Sequence, residues 1–239
     1  MQHTLSGNVL ITGDVMLDRY FHGTTSRTSP EAPVPIVNVQ QDFSRAGGAA
    51  NVAANIQALG GQSTLCALVG KDSAATSLKT HLDQHHIHHA LAQTSDAPTI
   101  VKLRVLSHQQ QMLRLDFESP LVNVSKTELH KHYATALTKA DVVVLSDYGK
   151  GTLSDVPHLI KTATAADKAV FIDPKGQDFT QYAGATLITP NKKEFEQVVG
   201  VCANNTDIVA KAHTLISDLN LTALLVTCGG DGMWLVQKD

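Results

Sequence analysis

Short apolar runs bounded by glycine or polar residues alternate with amphipathic stretches of helical period along most of this 239-residue chain. Asn8-Val9-Leu10-Ile11-Thr12, set between Gly7 and Gly13, predicts a buried first strand. Further strands are predicted over 63–69, 142–146, 169–173, 187–189 and 223–227. Between them the periodicity predicts helices from Asp72 to about His85, from Ser125 to Leu137, from Asp155 to Ala166, from Lys192 to Val199 and from Thr206 to Leu219. Asp72 opens the first of these, and Ser125 with Glu128 has the spacing of a capping box. Strands alternating with helices of this length predict an α/β fold, with a parallel sheet covered on both faces.

Two excursions break the alternation. From Tyr20 to Ser44 the chain carries Pro30, Pro33 and Pro35, followed by the strand-like Ile36–Gln40. Prolines at this density belong at a sheet edge or in a loop. Later, 99–106 and 112–117 form a hairpin of alternating polarity around 107–111. Together, segments near 20–44 and 98–118 predict one small sheet standing apart from the main domain, which spans 1–239.

The stretch from Arg45 to Gly61 joins these parts. Gly47 and Gly48 allow a sharp turn and close approach of the backbone to a ligand. They run into an alanine-rich helix closed by Gly60 and Gly61. Asn51, in its first turn, is placed to reach a ligand hydroxyl beside the helix N-terminus. Tight helix packing explains the small residues equally well.

Net charge is −3 with no basic cluster, which excludes a nucleic-acid face. No apolar run reaches 18 residues, and the polar start leads straight into a strand, so neither a membrane span nor a signal peptide is expected. Cys66, Cys202 and Cys228 form no ligand or CxxC pattern and read as reduced thiols of a cytoplasmic protein. His81, His85, His86, His88 and His89 cluster, but no carboxylate or cysteine stands with them as an obvious further ligand.

Polar residues gather after the strands. Asp14 and Asp18 follow the first, Ser146–Gly151 the strand at Val142, Asp173–Gly176 that at Ala169, and Thr189–Glu194 the next. Strand ends of a parallel sheet converge on one crevice, and this set suits an anionic, hydroxylated ligand. Asp14 as a turn cap and Asp18 as a solvated charge are the plainer alternatives. Gly149-Lys150-Gly151 fails as a phosphate loop, because Val144 replaces the leading glycine and Gly151 the Ser or Thr. No GxGxxG opens a helix after a strand. Asn191 and Glu194 have the spacing of a helix cap, and Thr227–Gly232 reads as a glycine-rich hairpin turn.

Six segments in order resemble the ribokinase-type (PfkB) carbohydrate kinases: 13–18, 29–35, Gly47-Gly48-Ala49-Ala50-Asn51, 113–118, 145–151 and Asp173-Pro174-Lys175-Gly176. They are most similar to the branch that phosphorylates heptose 7-phosphate in lipopolysaccharide core synthesis. The resemblance implies a three-layer α/β sandwich with a β lid, the lid often serving also as a dimer contact. It implies ATP and Mg²⁺ as cofactors and phosphorylation of the sugar's anomeric hydroxyl to a 1,7-bisphosphate. By the same resemblance Asp18 and Asn51 hold the sugar hydroxyls, with Gly47 and Gly48 beside them at the substrate, and Lys175 is the candidate here for the sugar's distal phosphate. Asn191, Lys192, Lys193 and Glu194 border the nucleotide, Glu194 holding Mg²⁺ through water, and Thr227, Gly229 and Gly232 lie along it. The family's catalytic base belongs to a Gly-Ala-Gly-Asp motif that this sequence lacks, so a catalytic residue is expected beyond Asp239. The alternatives are another ribokinase-type sugar kinase, or a sugar-phosphate-binding remnant without turnover.

Overall fold

β1 (Asn8–Gly13) lies between β4 (Gln62–Gly70) and β8 (Val142–Ser146), parallel to both, and Leu10 and Ile11 are inaccessible to solvent. An apolar run buried on both faces can do this only at the centre of a covered sheet. The computed structural model describes residues 7–238. Around this centre an eight-stranded sheet adds β5 (His88–Thr94), β9 (Ala169–Asp173), β10 (Leu187–Ile188), β11 (Ala223–Thr227) and β12 (Met233–Gln237), in the order β12-β11-β10-β9-β8-β1-β4-β5. All neighbours run parallel except β11 and β12, which form an antiparallel hairpin and make the sheet mixed.

Helices α1 (Ala49–Ala58) and α2 (Ser73–Gln84) cover one face at β1 and β4, through Ala49, Ala53, Leu78 and Leu82. On the other face, α3 (Thr127–Leu137), α4 (Val156–Thr164), α5 (Lys192–Val199) and α6 (Asn205–Asp218) contribute Leu129, Tyr133, Leu159, Phe195 and Ile216 to the larger core. From β9 onwards the α1–α2 face loses its cover. Phe171, Met233 and Leu235 point to it and are 38%, 64% and 59% exposed. No helix of the described residues is long and apolar enough to cross a membrane.

A second sheet has the order β3-β2-β6-β7, built from β2 (Val15–Thr28), β3 (Pro35–Gly48), β6 (Val101–Ser107) and β7 (Gln110–Phe117). Its long strands extend well past the expected segment. Only Asp14 separates β1 from β2, and β3 runs to Gly48, leaving only 29–34 with their prolines as the connection between β2 and β3. Two local expectations fail. The stretch after α2, for which no strand was expected, is the edge strand β5, and α3 lacks the capping box. Instead Ser125 Oγ bonds Thr127 Oγ1 (3.1 Å), while Lys126 Nζ satisfies the carbonyls of Leu121 and Val124. Asp72 does cap α2, accepting from the Ala75 and Thr99 amides at 2.8 Å each.

Candidate active site

The joint between the two sheets is made by Gly47 and Gly48. A side chain on Gly47 would stand 2.2 Å from Asp18 Oδ2. Gly48 has φ +62°, and a Cβ there would meet the Asp14 carbonyl at 2.3 Å. Glycine is required at both, at one for space and at the other for backbone conformation as well. The turn they make starts α1 beside β2, and a cavity of about 450 Å³ opens there, lined by Asp18, Gly47, Gly48, Asn51 and Tyr148 among others. The first four are the residues expected to meet the sugar.

The two aspartates after β1 have different jobs. Asp14 is fully buried. Its carboxylate accepts from the amides of Tyr148 (3.0 Å), Lys150 (2.9 Å) and Thr152 (2.9 Å), fixing the loop after β8. The plainer reading of Asp14 as a turn-holder is therefore the observed one, across 134 residues or more of sequence. Asp18 faces the cavity, and Arg104 Nη1 donates to it at 2.5 Å. Sequence reasoning missed Arg104 and three further cations of this cavity, Arg45, Lys102 and Arg114. Arg45 stands two residues before Gly47 of the expected turn, and Lys102, Arg104 and Arg114 occupy alternate, same-face positions of paired strands. That alternation was the available signal.

Lys175 does not line this cavity. Its ammonium donates to Glu194 Oε1 at 2.8 Å, and that hydrogen bond, with the charges of Glu194, Asp173 and Asp147, holds its pKa above the ordinary lysine value. Nearby, burial pushes the Asp173 carboxyl up to about 6, with the negative charges of Glu194 and Asp147 adding to the rise. Burial likewise raises Asp147, although the Gly149 amide (2.7 Å) and the Tyr182 hydroxyl (2.7 Å) donate to it.

The residues expected along the nucleotide also converge. Asn191 Oδ1 accepts from the Glu194 amide (3.0 Å) and Glu194 Oε2 from the Asn191 amide (3.1 Å), a complete capping box at the start of α5. Thr227 donates its amide to the Pro190 carbonyl at 3.0 Å and bridges to Asn191 in parallel pairing. This sets the Thr227–Gly232 turn beside that helix start. Gly229 and Gly232 have φ +59° and +89° with open space where a Cβ would lie. Lys192 and Lys193 are exposed in the first turn of α5.

Among the described residues no group of three or more His, Cys, Asp or Glu side chains could enclose a metal. Within the histidine cluster, His81 bonds Ser44 Oγ of β3 (2.8 Å) and His89 bonds Asp83 (3.0 Å). The carboxylates of Glu194 and Asp173 are the kind of donors that a magnesium ion retaining most of its waters would accept. They concentrate negative charge that a single lysine only partly offsets. The thiols are free. Cys66 and Cys202 are buried, and burial pushes Cys66 up to about 12, which keeps it unreactive.

Comparison with known proteins extends this picture. Residues 6–239 match the profile of the pfkB family carbohydrate kinases. The chain is 51% identical over its whole length to the bifunctional protein HldE of Haemophilus ducreyi, covering 51% of that protein. It is 52% identical over 96% of its length to the HldE of Pseudomonas aeruginosa, covering 48% of it. The chain thus spans about half the length of the curated relatives it matches. Escherichia coli phosphofructokinase-2, in a tetrameric inhibited form, superposes with a TM-score of 0.79 at 19% identity, over 98% of this chain and 77% of that one. Arabidopsis thaliana ribokinase, complexed with ribose and ATP, gives 0.74 at 16% identity, over 98% and 75%. At those identities the structures establish the ribokinase-like fold alone, whereas the profile and the close relatives place this chain in the PfkB family of carbohydrate kinases.

Proposed function

We propose that the protein phosphorylates heptose 7-phosphate at its anomeric hydroxyl, using Mg²⁺ and ATP, to give the 1,7-bisphosphate of lipopolysaccharide core synthesis. The observation that carries this reading is the cavity where Asp18 and Asn51 meet, at the joint of two sheets in a PfkB kinase frame. The motif resemblance to heptose 7-phosphate kinases, and relatives at about half identity named HldE, support the choice of sugar. Asp18 and Asn51 orient the hydroxyls. The second sheet closes over them as a lid, and its outer face, where Leu113, Leu115 and Phe117 are exposed, suits a second copy of the chain.

Asn191, Glu194, Thr227, Gly229 and Gly232 border the nucleotide, with Lys192 and Lys193 offering charge to its phosphates. Glu194, together with Asp173, would hold Mg²⁺ through water. The ion supplies charge neutralisation, the main requirement of phosphoryl transfer besides positioning. Lys175 keeps Glu194 in place at the boundary between the two halves. The test is ATP turnover with heptose 7-phosphate beside fructose 6-phosphate and ribose, following the new anomeric phosphate by ³¹P NMR. It is run on this chain and on one extended with a relative's Gly-Ala-Gly-Asp segment. Preference for either other sugar would sink the heptose reading and leave the alternative, a different sugar kinase.

A further inference from the structure

The inner face of the second sheet gathers cationic side chains around the cavity. Cross-strand registry puts Arg45, Asp18, Lys102 and Asp116 in one row, and Phe43, Tyr20, Arg104 and Arg114 in the next. Four cations thus share the face with two carboxylates. A third carboxylate nearby, Glu118, is engaged by Lys150 at 2.6 Å.

The commitments of the cations differ. Arg104 is bound to Asp18 (2.5 Å), which neutralises the one carboxylate that would repel an anion in the cavity. Arg114 holds Asp116 at 2.9 Å, with Lys102 on the same carboxylate at 3.3 Å. Arg45 is paired with no carboxylate among the described residues. Its guanidinium lies over the stacked rings of Phe43 and Tyr20, 5.6 and 5.9 Å from their centroids, and Arg104 lies 5.4 Å from Tyr20. Aromatic platforms orient a guanidinium while leaving its N–H edge free, and that edge matches phosphate oxygens two at a time. A volume of about 450 Å³ is ample for a sugar phosphate.

We propose that the phosphoryl group the sugar already carries is seated on Arg45, with Arg104 and Arg114 beside it. The second sheet then reads the phosphate while Asp18 and Asn51 read the hydroxyls. The assignment rests on the sugar-kinase reading above, and it moves the phosphate away from Lys175, whose ammonium is taken by Glu194.

Calorimetric titration of the 239-residue chain tests this with two matched pairs, heptose 7-phosphate against heptose and fructose 6-phosphate against fructose. Arg45→Ala should weaken the phosphorylated member of the better-bound pair by about ten- to a hundredfold, the size of a lost charge-assisted contact, and leave its parent sugar within about twofold. Arg45→Lys should recover part of the loss. Arg114→Ala, also on an exposed side chain, should show the same selectivity more weakly. Lys175→Ala should not show it. Equal loss for sugar and sugar phosphate would overturn the proposal, as would selective loss in Lys175→Ala but not Arg45→Ala. A wild type that binds no phosphorylated sugar more tightly than its parent would overturn it as well. If the better-bound pair is fructose, the heptose reading falls while the seat stands or falls on the Arg45 result.

Discussion

Lys175 Nζ lies 2.8 Å from Glu194 Oε1, tying the segment after β9 to the first turn of α5. The carboxylate it holds is itself mostly buried, 12% exposed, and its other oxygen completes the cap at Asn191. Removing the ammonium frees one oxygen without breaking the cap. Lys175→Ala is therefore expected to weaken binding of a magnesium–nucleotide complex by about fivefold, the scale of a half-exposed ion pair. Titration with Mg²⁺ and a non-hydrolysable ATP analogue measures it. An unchanged nucleotide affinity would leave Lys175 without a role on that side of the crevice.

Asp173 gives the site a pH signature. Its carboxyl sits at about 6 in the folded protein because of burial first, then the charges of Glu194 and Asp147. An unfolded chain returns it to about 3.9. Between those values the native state binds more protons than the unfolded state, so stability falls as pH rises through 6. Below about pH 4 the effect is absent. Asp173→Asn should thus raise the melting temperature at pH 8 and change it little at pH 4. A gain of the same size at both would assign the effect to packing.

Asp14 and Asp18 predict opposite outcomes from the same substitution. Asp14→Ala leaves three amides of the Tyr148–Thr152 loop without their acceptor in a buried place. That should cost about 2–4 kcal/mol in urea unfolding. Asp18→Ala removes a partly exposed ion pair with Arg104 and should cost about 1 kcal/mol or less, while reducing sugar affinity. Similar stability losses for both would contradict the division of labour between them.

What the sequence revealed follows from how local each signal is. β1, the Asp72 cap and the Asn191–Glu194 box are written in neighbouring residues and were legible. β5 was not, because its sequence, His88-His89-Ala90-Leu91-Ala92-Gln93-Thr94, opens on the histidine run after α2 and lacks a strong apolar alternation. The lengths of β2 and β3 were hidden for another reason. The outer part of β2, Thr24–Thr28, and the middle of β3, Gln40–Asp42, are polar and lack a strand signal of their own; pairing between the two strands holds them. The cation face was least visible. Arg45, Arg104 and Arg114 come from three strands, and only the register of a folded sheet places them together.

The uncovered face of the main sheet carries a prediction about association. Phe171, Met233 and Leu235 stand exposed where β1 and β4 have helices over them. Exposed apolar side chains on one sheet face promote contact between molecules. The purified 239-residue chain should show concentration-dependent association in sedimentation velocity, and Leu235→Lys should reduce it. If only substitution of Phe117 on the second sheet does so, the contact belongs to the lid.

Turnover by these 239 residues should lag far behind their binding. The cavity with Asp18 and Asn51 is formed, and Asn191, Glu194 and Thr227 stand together. No Gly-Ala-Gly-Asp segment occurs in the sequence to supply the family's base and its anion-binding helix start. General-base help is worth about 10²–10⁴ in rate. Preorganised donors around a transferring group add about 10²–10³. Heptose 7-phosphate should therefore bind to the chain while coupled ADP release stays near background, and adding the motif should restore release. Comparable rates with and without it would place the chemistry inside the present residues. Asp173 would then be the first base to test, since a carboxyl at about 6 can accept a proton near neutral pH. Its substitution by asparagine should abolish the rate, and the pH profile should lose its limb near 6.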